Sequence, residues 1–392
     1  MPEMNLLMAE FERRPLIVSF EEPSQFTEVY GFTGSQGKVF LEGQLLIPLD
    51  RPSKTILLFM HPATTLNLLP LPAAMASAGA HVMCCGSRYA KNDSALIMEK
   101  VVADMGAYIR HAKEKLGYEK VILMGWSGGG SLAVTYQAEA ENPVIKSTPS
   151  GEPYDLSALD LIPADALISI AAHLSRAETL TEWLDPSIEN ELDPDSRIAE
   201  LDLYADKNPN QPPYSADFLD YYRARQLQRN RRISQWAKET LDNLKHKNTG
   251  ENERAFVVHR TMADPRWLDP AVDPNDRKPG WCFLGDPKTV NAGPVGLARF
   301  STLRSWLSQW SYDDSNARTD INAGRITIPA CVIENSADDG TPASHPRKIF
   351  DLLGSQNKEF HKIQGATHYY QGQPEKLQEV VDLCLDFIDQ LI

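Results

Sequence analysis

Residues 125–129 read Gly-Trp-Ser-Gly-Gly, directly after the apolar run Val121–Met124 and ahead of a helix-compatible run, Ser131–Ala140. A serine hydroxyl becomes a useful nucleophile when a sharp turn presents it and a neighbouring base takes its proton. Gly125 and Gly129, two before and two after Ser127, suit a strand-to-helix turn in which the two backbones pass closely. The competing reading is a serine capping a helix behind a glycine-rich phosphate loop. No lysine follows these glycines and the dinucleotide-binding spacing is absent, which disfavours it.

Nine histidines compete for the role of base. His368, in Gly365-Ala366-Thr367-His368, falls between the last predicted strand and the last predicted helix. Loops at the carboxyl ends of parallel strands are where such sheets gather catalytic groups. His345 stands beside Pro346 at a helix start and reads as a capping or surface residue. His61 and His173 end strands, so they are expected on the same face as the serine. With Trp126 and Trp183 they are the candidate substrate contacts. The base needs an acid to hold one tautomer. Asn335–Pro342 offers Asp338 and Asp339; Asp338 leaves the strand first and is preferred, with its neighbour open as the alternative.

These groups need a scaffold, and the apolar pattern supplies one. Thr55–Met60, His81–Cys85 and Val121–Met124 are short continuous apolar runs, as expected of strands covered on both faces, and Ala166–Ala172, Pro329–Glu334 and Glu359–Ile363 read as the further strands of the alternation. Two alternating stretches precede them, Phe26–Phe32 and Lys38–Ile47, and read as an antiparallel pair. Asn92, Asp93 and Ser94 offer N-caps for a helix that carries Ile97 through Ala112. Pro374 opens a final helix whose stripe runs from Leu377 to Leu391. The alternation predicts an α/β fold, a mostly parallel sheet with helices on both faces. It lapses over 174–320, a stretch rich in Pro, Asp and Asn that holds six of the seven tryptophans and scattered helical pieces at Asp217–Leu227 and Ile233–Leu244. This reads as a lid inserted into the sheet domain. The boundaries are then 1–25 for an unassigned N-terminal segment, 26–173 and 321–392 for the two parts of the core, and 174–320 for the lid.

Composition narrows the function. With 53 acidic against 39 basic residues the net charge is -14, a sign that repels nucleic-acid phosphates and anionic lipid. No apolar stretch approaches a spanning length, and the five cysteines lack metal-type spacing. The expectation is a cytoplasmic protein with buried free thiols, without metal, cofactor, nucleic-acid or membrane partner. A homo-oligomer is left open.

The order Ser127, Asp338, His368, the glycine-flanked serine and the strand–helix scaffold together resemble the α/β-hydrolase fold. That resemblance covers 26–173 and 321–392, with the lid as the family's usual insertion. In that family the acid commonly stands four residues before a proline, as Asp338 does before Pro342. The resemblance also implies an oxyanion hole from the N–H of Gly128 and an N–H after the third strand. The family's His-Gly-x segment is here His61-Pro62-Ala63; Pro62 has no N–H, so Ala63 would donate. A serine nucleophile is similar to that of esterases, lactonases, amidases and carbon–carbon bond hydrolases, and argues against the aspartate-dependent dehalogenases and epoxide hydrolases. The expected activity is hydrolysis of a carboxylic ester or lactone of a hydrophobic small molecule, with diketone carbon–carbon hydrolysis as the enzymatic alternative. A catalytically silent ligand-binding hydrolase fold is the third reading.

Overall fold

The structure, a computed structural model, describes residues 9–22 and 37–391. Among these residues ten strands form: β1 (Phe11–Glu21), β2 (Lys38–Pro48), β3 (Thr55–His61), β4 (His81–Gly86), β5 (Lys120–Trp126), β6 (Ala166–Ile170), β7 (Ala255–Val257), β8 (Phe300–Thr302), β9 (Ala330–Asn335) and β10 (Lys358–Ile363). Eight make one sheet in the order β1-β2-β4-β3-β5-β6-β9-β10, and β7 and β8 pair separately. From β4 to β10 every pairing is parallel, whereas β2 runs antiparallel to both β1 and β4.

The parallel strands are the apolar runs of the sequence, and their alternate residues feed opposite faces. Ile56, Leu58, Val121 and Leu123 pack on one side with α2 (Met98–Glu114) and α3 (Gly128–Glu141). Leu57, Phe59, Ile122 and Met124 pack on the other with α1 (Pro70–Ser77) and the C-terminal helix Pro374–Asp389. Thus the helices cover both faces.

Three local expectations change. The strand expected over Phe26–Phe32 lies outside the described residues; the antiparallel partner of β2 is β1, with Phe11 opposite Pro48 and Glu21 opposite Lys38. The N-terminal segment therefore supplies an edge strand. Its Arg13, Arg14 and Pro15 mask the alternation, and charge and proline are tolerated on an edge. Next, α2 does not start at Asn92–Ser94, which hold a separate 3₁₀ turn. It starts at Met98, whose N–H donates to Ser308 Oγ at 2.8 Å. Finally, Asp217–Leu227 and Ile233–Leu244 are one continuous helix, α5 (Ala216–Lys247), preceded by α4 (Arg176–Trp183). Between those two stretches Arg229 and Asn230 are buried and partnered. Arg229 Nη1 donates to the Asp185 carbonyl at 2.8 Å, and Asn230 Nδ2 to that of Trp310 at 2.8 Å.

The chain between β6 and β9 gathers apolar clusters of its own, one around Leu180, Ile233, Trp306 and Trp310, another of Trp183, Met262, Trp267 and Cys282. All five cysteines are buried and free. Among the described residues no helix is long and apolar enough to cross a membrane.

Candidate active site

Ser127 sits between the end of β5 and the first residue of α3, with φ 54° and ψ −128°. A non-glycine residue holds such a conformation only where its surroundings enforce it. Here they do. A Cβ on Gly125 would lie 2.9 Å from Gly130 Cα, and one on Gly129 would collide with the Met60 carbonyl oxygen of β3. The Ser127 N–H donates to the Ala171 carbonyl at 3.1 Å, and its own carbonyl accepts from the His173 N–H at 3.2 Å. The turn is thus tied to the end of β6.

The structure brings His368 and Asp338 to this serine. His368 Nε2 lies 3.1 Å from Ser127 Oγ, and Nδ1 lies 2.8 Å from Asp338 Oδ2. All three are buried, at 8%, 2% and 3% exposure. The second Asp338 oxygen accepts from the N–H groups of Gly340 and Thr341, each at 2.7 Å, which fixes the carboxylate plane. Trp126 backs the imidazole at 4.7 Å between ring centroids and donates from Nε1 to the His368 carbonyl at 3.3 Å. Asp339 makes no comparable contact with the imidazole nitrogens; its carbonyl accepts from Trp267 Nε1 at 2.8 Å. Burial, and then the charge of Asp338, push the Asp339 carboxyl up to about 6.

The loop after β3 differs from its sequence reading. The Ala63 N–H is engaged within the loop, donating to His61 Nδ1 at 3.2 Å. His61 Nε2 instead approaches Gly128, 2.8 Å from where a Cβ on that glycine would stand. Its enclosed position first, then the charges of Arg176 and His368, hold the His61 pKa well below the ordinary histidine value, so the ring is neutral. The Gly128 N–H heads α3, where no intrahelical acceptor exists.

A cavity of about 280 Å³ opens on Ser127 and His368. The four candidate substrate contacts, His61, Trp126, His173 and Trp183, all line it, as do Gly128 and Ala63. Sequence reasoning missed Phe283, Leu297, Tyr369 and Arg176. Arg176 is 6% exposed and stacks over the Trp310 ring at 4.3 Å. Its Nη2 donates to Asp93 Oδ2 and Gln309 Oε1, each at 2.9 Å, while its buried Nε has no partner. The only signal in the sequence was its place just past the end of β6. His345 is a correction: it is 1% exposed, its Nδ1 accepts from the Leu174 N–H at 3.3 Å, and its ring stands edge-on to His173. His345, Glu178 and Glu182 bring potential ligand atoms within 4.8 Å of one another. Glu182 is already paired with Arg266 at 2.6 Å, so the group belongs to a salt-bridge network.

No protein-family model and no curated protein matches the chain. Solved structures do. The α/β hydrolase GrgF from Penicillium sp. sh18 aligns at 10% identity over 96% of this chain and 98% of its own, with a TM-score of 0.52. DcsB, solved in complex with its substrate analogue, aligns at 14% identity over 98% of this chain and 99% of its own, with a TM-score of 0.49. The monoacylglycerol lipase of Paleococcus ferrophilus does so at 15% identity over 98% and 100%, with a TM-score of 0.42. At these identities the likeness is one of fold. Together with the strand order and the turn at Ser127, it establishes that the chain adopts the α/β-hydrolase fold.

Proposed function

We propose that the protein is a serine hydrolase that cleaves a carboxylic ester or lactone of a hydrophobic small molecule through an acyl-enzyme on Ser127. The observation that carries this reading is the hydrogen-bonded chain from Ser127 Oγ through the two nitrogens of His368 to Asp338. His368 Nδ1–H donates to the Asp338 carboxylate, which leaves Nε2 unprotonated toward the serine. As Oγ adds to the substrate carbonyl, Nε2 takes its proton and Asp338 stabilises the resulting imidazolium. The electron pair of the carbonyl moves onto oxygen beside the Gly128 N–H and the positive end of α3. Collapse expels the alkoxide, which receives the proton from Nε2. A water deprotonated by the same nitrogen then hydrolyses the acyl-enzyme.

The cavity wall supports an apolar substrate: Leu66, Leu69, Trp183, Phe283, Leu297 and Tyr369 all face it. Tyr204, Tyr221 and Tyr222, from the chain between β6 and β9, do not line it. Tyr204 and Tyr222 bind the carbonyls of Met262 and Ala263, and Tyr221 is exposed. The buried free thiols suit a reducing, cytoplasmic setting. The test is Ser127→Ala in a screen of p-nitrophenyl esters and aromatic lactones. Turnover should fall about 10⁶-fold with an unchanged melting temperature, and labelling by a fluorophosphonate should vanish. Retention of more than a tenth of the activity would sink the assignment. A ketone fragment among the products would instead identify carbon–carbon cleavage.

A further inference from the structure

We propose that the imidazole of His61 supplies the second oxyanion donor, through Nε2–H, in place of the Ala63 backbone. The inference rests on the serine-hydrolase reading of Ser127 and deepens it. Three observations converge. The Ala63 N–H is occupied, because it donates to His61 Nδ1. A nitrogen that accepts a hydrogen bond carries no proton, so in the neutral ring the proton is on Nε2. Nε2 in turn faces Gly128, on the wall of the cavity that also holds Ser127 and His368. Among the described residues it meets no hydrogen-bond partner.

Pro62 explains the arrangement. Lacking an N–H, it removes the donor that this loop would otherwise offer at that residue. The next N–H, of Ala63, turns back to fix the imidazole rather than facing the substrate. What the backbone loses as a donor it recovers as a tautomer-setting contact.

Arg176 belongs to the same device. Its Nη1 lies 3.4 Å from the Cβ position of Gly128 that Nε2 approaches. Its charge sits where negative charge would grow as the carbonyl π pair moves onto oxygen, and Asp93 and Gln309 hold the guanidinium in place. No proton leaves His61 in the reaction; it donates a hydrogen bond, and His368 alone transfers protons.

His61→Leu keeps the bulk and removes the donor, whereas His61→Gln restores an N–H on a side chain of similar reach. The expectation for His61→Leu is a 10²–10³-fold fall in kcat with KM changed less than about threefold, the signature of a contact made only in the transition state. His61→Gln should recover at least about tenfold of that loss. The affinity for an aryl trifluoromethyl ketone, which the serine converts to a hemiketal, should weaken by the same factor as kcat falls. Turnover of His61→Leu within about threefold of the wild type, with Ser127→Ala inactive in the same assay, would overturn the role of His61 and leave the serine reading intact. Turnover that survives Ser127→Ala would overturn both. Should His61→Leu fail to fold, the wild-type protein still decides the matter: ¹⁵N NMR of the hemiketal complex must find His61 protonated at Nε2. Protonation at Nδ1 would overturn the proposal.

Discussion

From Ile56 to Met60 and from Val121 to Trp126 every residue is buried, and nearly all of that burial is hydrocarbon. The chain between β6 and β9 buries charge instead. Arg229 is 1% exposed and pairs with Glu191 at 2.6 Å, Arg266 pairs with Asp264 and Glu182, and Arg260 bridges Asp185 and Asp202. The sheet region has buried pairs of its own, Arg88 with Asp104 and Arg325 with Glu139, but they sit at the edges of an apolar core. The difference matters because both regions line one cavity. Apolar burial is non-directional and stabilises the floor on which Ser127 stands. Buried ion pairs carry a desolvation cost that their attraction roughly offsets, yet they tolerate few alternative arrangements. The sheet thus buries hydrocarbon beneath the serine, and the chain between β6 and β9 walls the same cavity with residues tied to paired charges.

The contrast breaks most visibly on activity. If catalysis belongs to the sheet, Asp338→Asn should lower kcat about 10⁴-fold, because the amide favours the wrong His368 tautomer. Melting temperature should change little, since the amide oxygen can still accept from Gly340 and Thr341. Equal activity of Asp338→Asn and the wild type in steady-state assays would remove Asp338 from the mechanism.

A substitution between β6 and β9 should act the other way round. Asp264→Ala leaves Arg223 and Arg266 without their shared carboxylate, and breaking a buried pair in this manner costs about 3–5 kcal/mol. By comparison, Ile168→Val in β6 should cost about 0.5–1.5 kcal/mol. Urea titration of the two variants checks the ranking. The pH limb adds a second check. Burial opposes the charge of Asp264, but Arg223 and Arg266 outweigh it and hold the carboxyl well below the usual range. Its stabilisation is therefore present above the unfolded value of about 4 and is lost as pH falls toward the folded one. Acid unfolding below about pH 4 should be shallower in Asp264→Ala than in the wild type. Identical acid limbs would mean that the pair contributes no net stabilisation.

Trp183 tests whether one residue can serve both regions. It is 2% exposed, packs against Trp267 at 5.0 Å and Phe283 at 5.5 Å, and still lines the cavity. Trp183→Phe should keep most of the packing, lower the melting temperature by a few degrees, and raise relative kcat/KM for bulkier aromatic esters. A lower melting temperature with an unchanged order of substrates would leave the tryptophan purely structural.

The same contrast explains what could be read in advance. Continuous apolar runs announce strands, so β3 to β6 and β9 were legible, and the turn glycines with them, whereas β10, with Lys358, Glu359, His361 and Lys362, followed from the strand–helix order. Asp338 and His368 followed from position, because chain order and strand ends fix which loops meet. Edge strand β1 was not legible, since its outward Arg13 and Arg14 and its Pro15 conceal a buried Leu16 and Val18. The break in the strand pattern over 174–320 was legible, and so was Trp183 as a cavity residue, but the packing within that stretch was not. The continuity of α5 depends on partners of Arg229 that lie 30 or more residues away in sequence, and Arg176 acquires its place from Asp93, 83 residues earlier. Periodicity records which residues are apolar; it does not record which charges will meet.

The smallest expected effect on turnover lies at the seam between the two regions. The backbone of Asp339 is held by Trp267 from the chain between β6 and β9, while its carboxyl lies close to Asp338 in the site. Burial and the Asp338 charge raise that carboxyl to about 6, with His368 pulling the other way. The unfolded chain releases this proton near pH 4, so between roughly pH 4 and pH 6 the folded state holds a proton that the unfolded state has lost. Its contribution is therefore fully present below the unfolded value and lost as pH rises through about 6, where the folded protein must carry an uncomfortable charge. Asp339→Asn removes the titration. The variant should melt higher than the wild type at pH 8, the difference should shrink steadily toward pH 4, and kcat should stay within a few fold. Melting temperatures taken across that range decide the matter: parallel curves for the two proteins would mean that Asp339 is solvated like a surface carboxylate and that Trp267 does not enclose it.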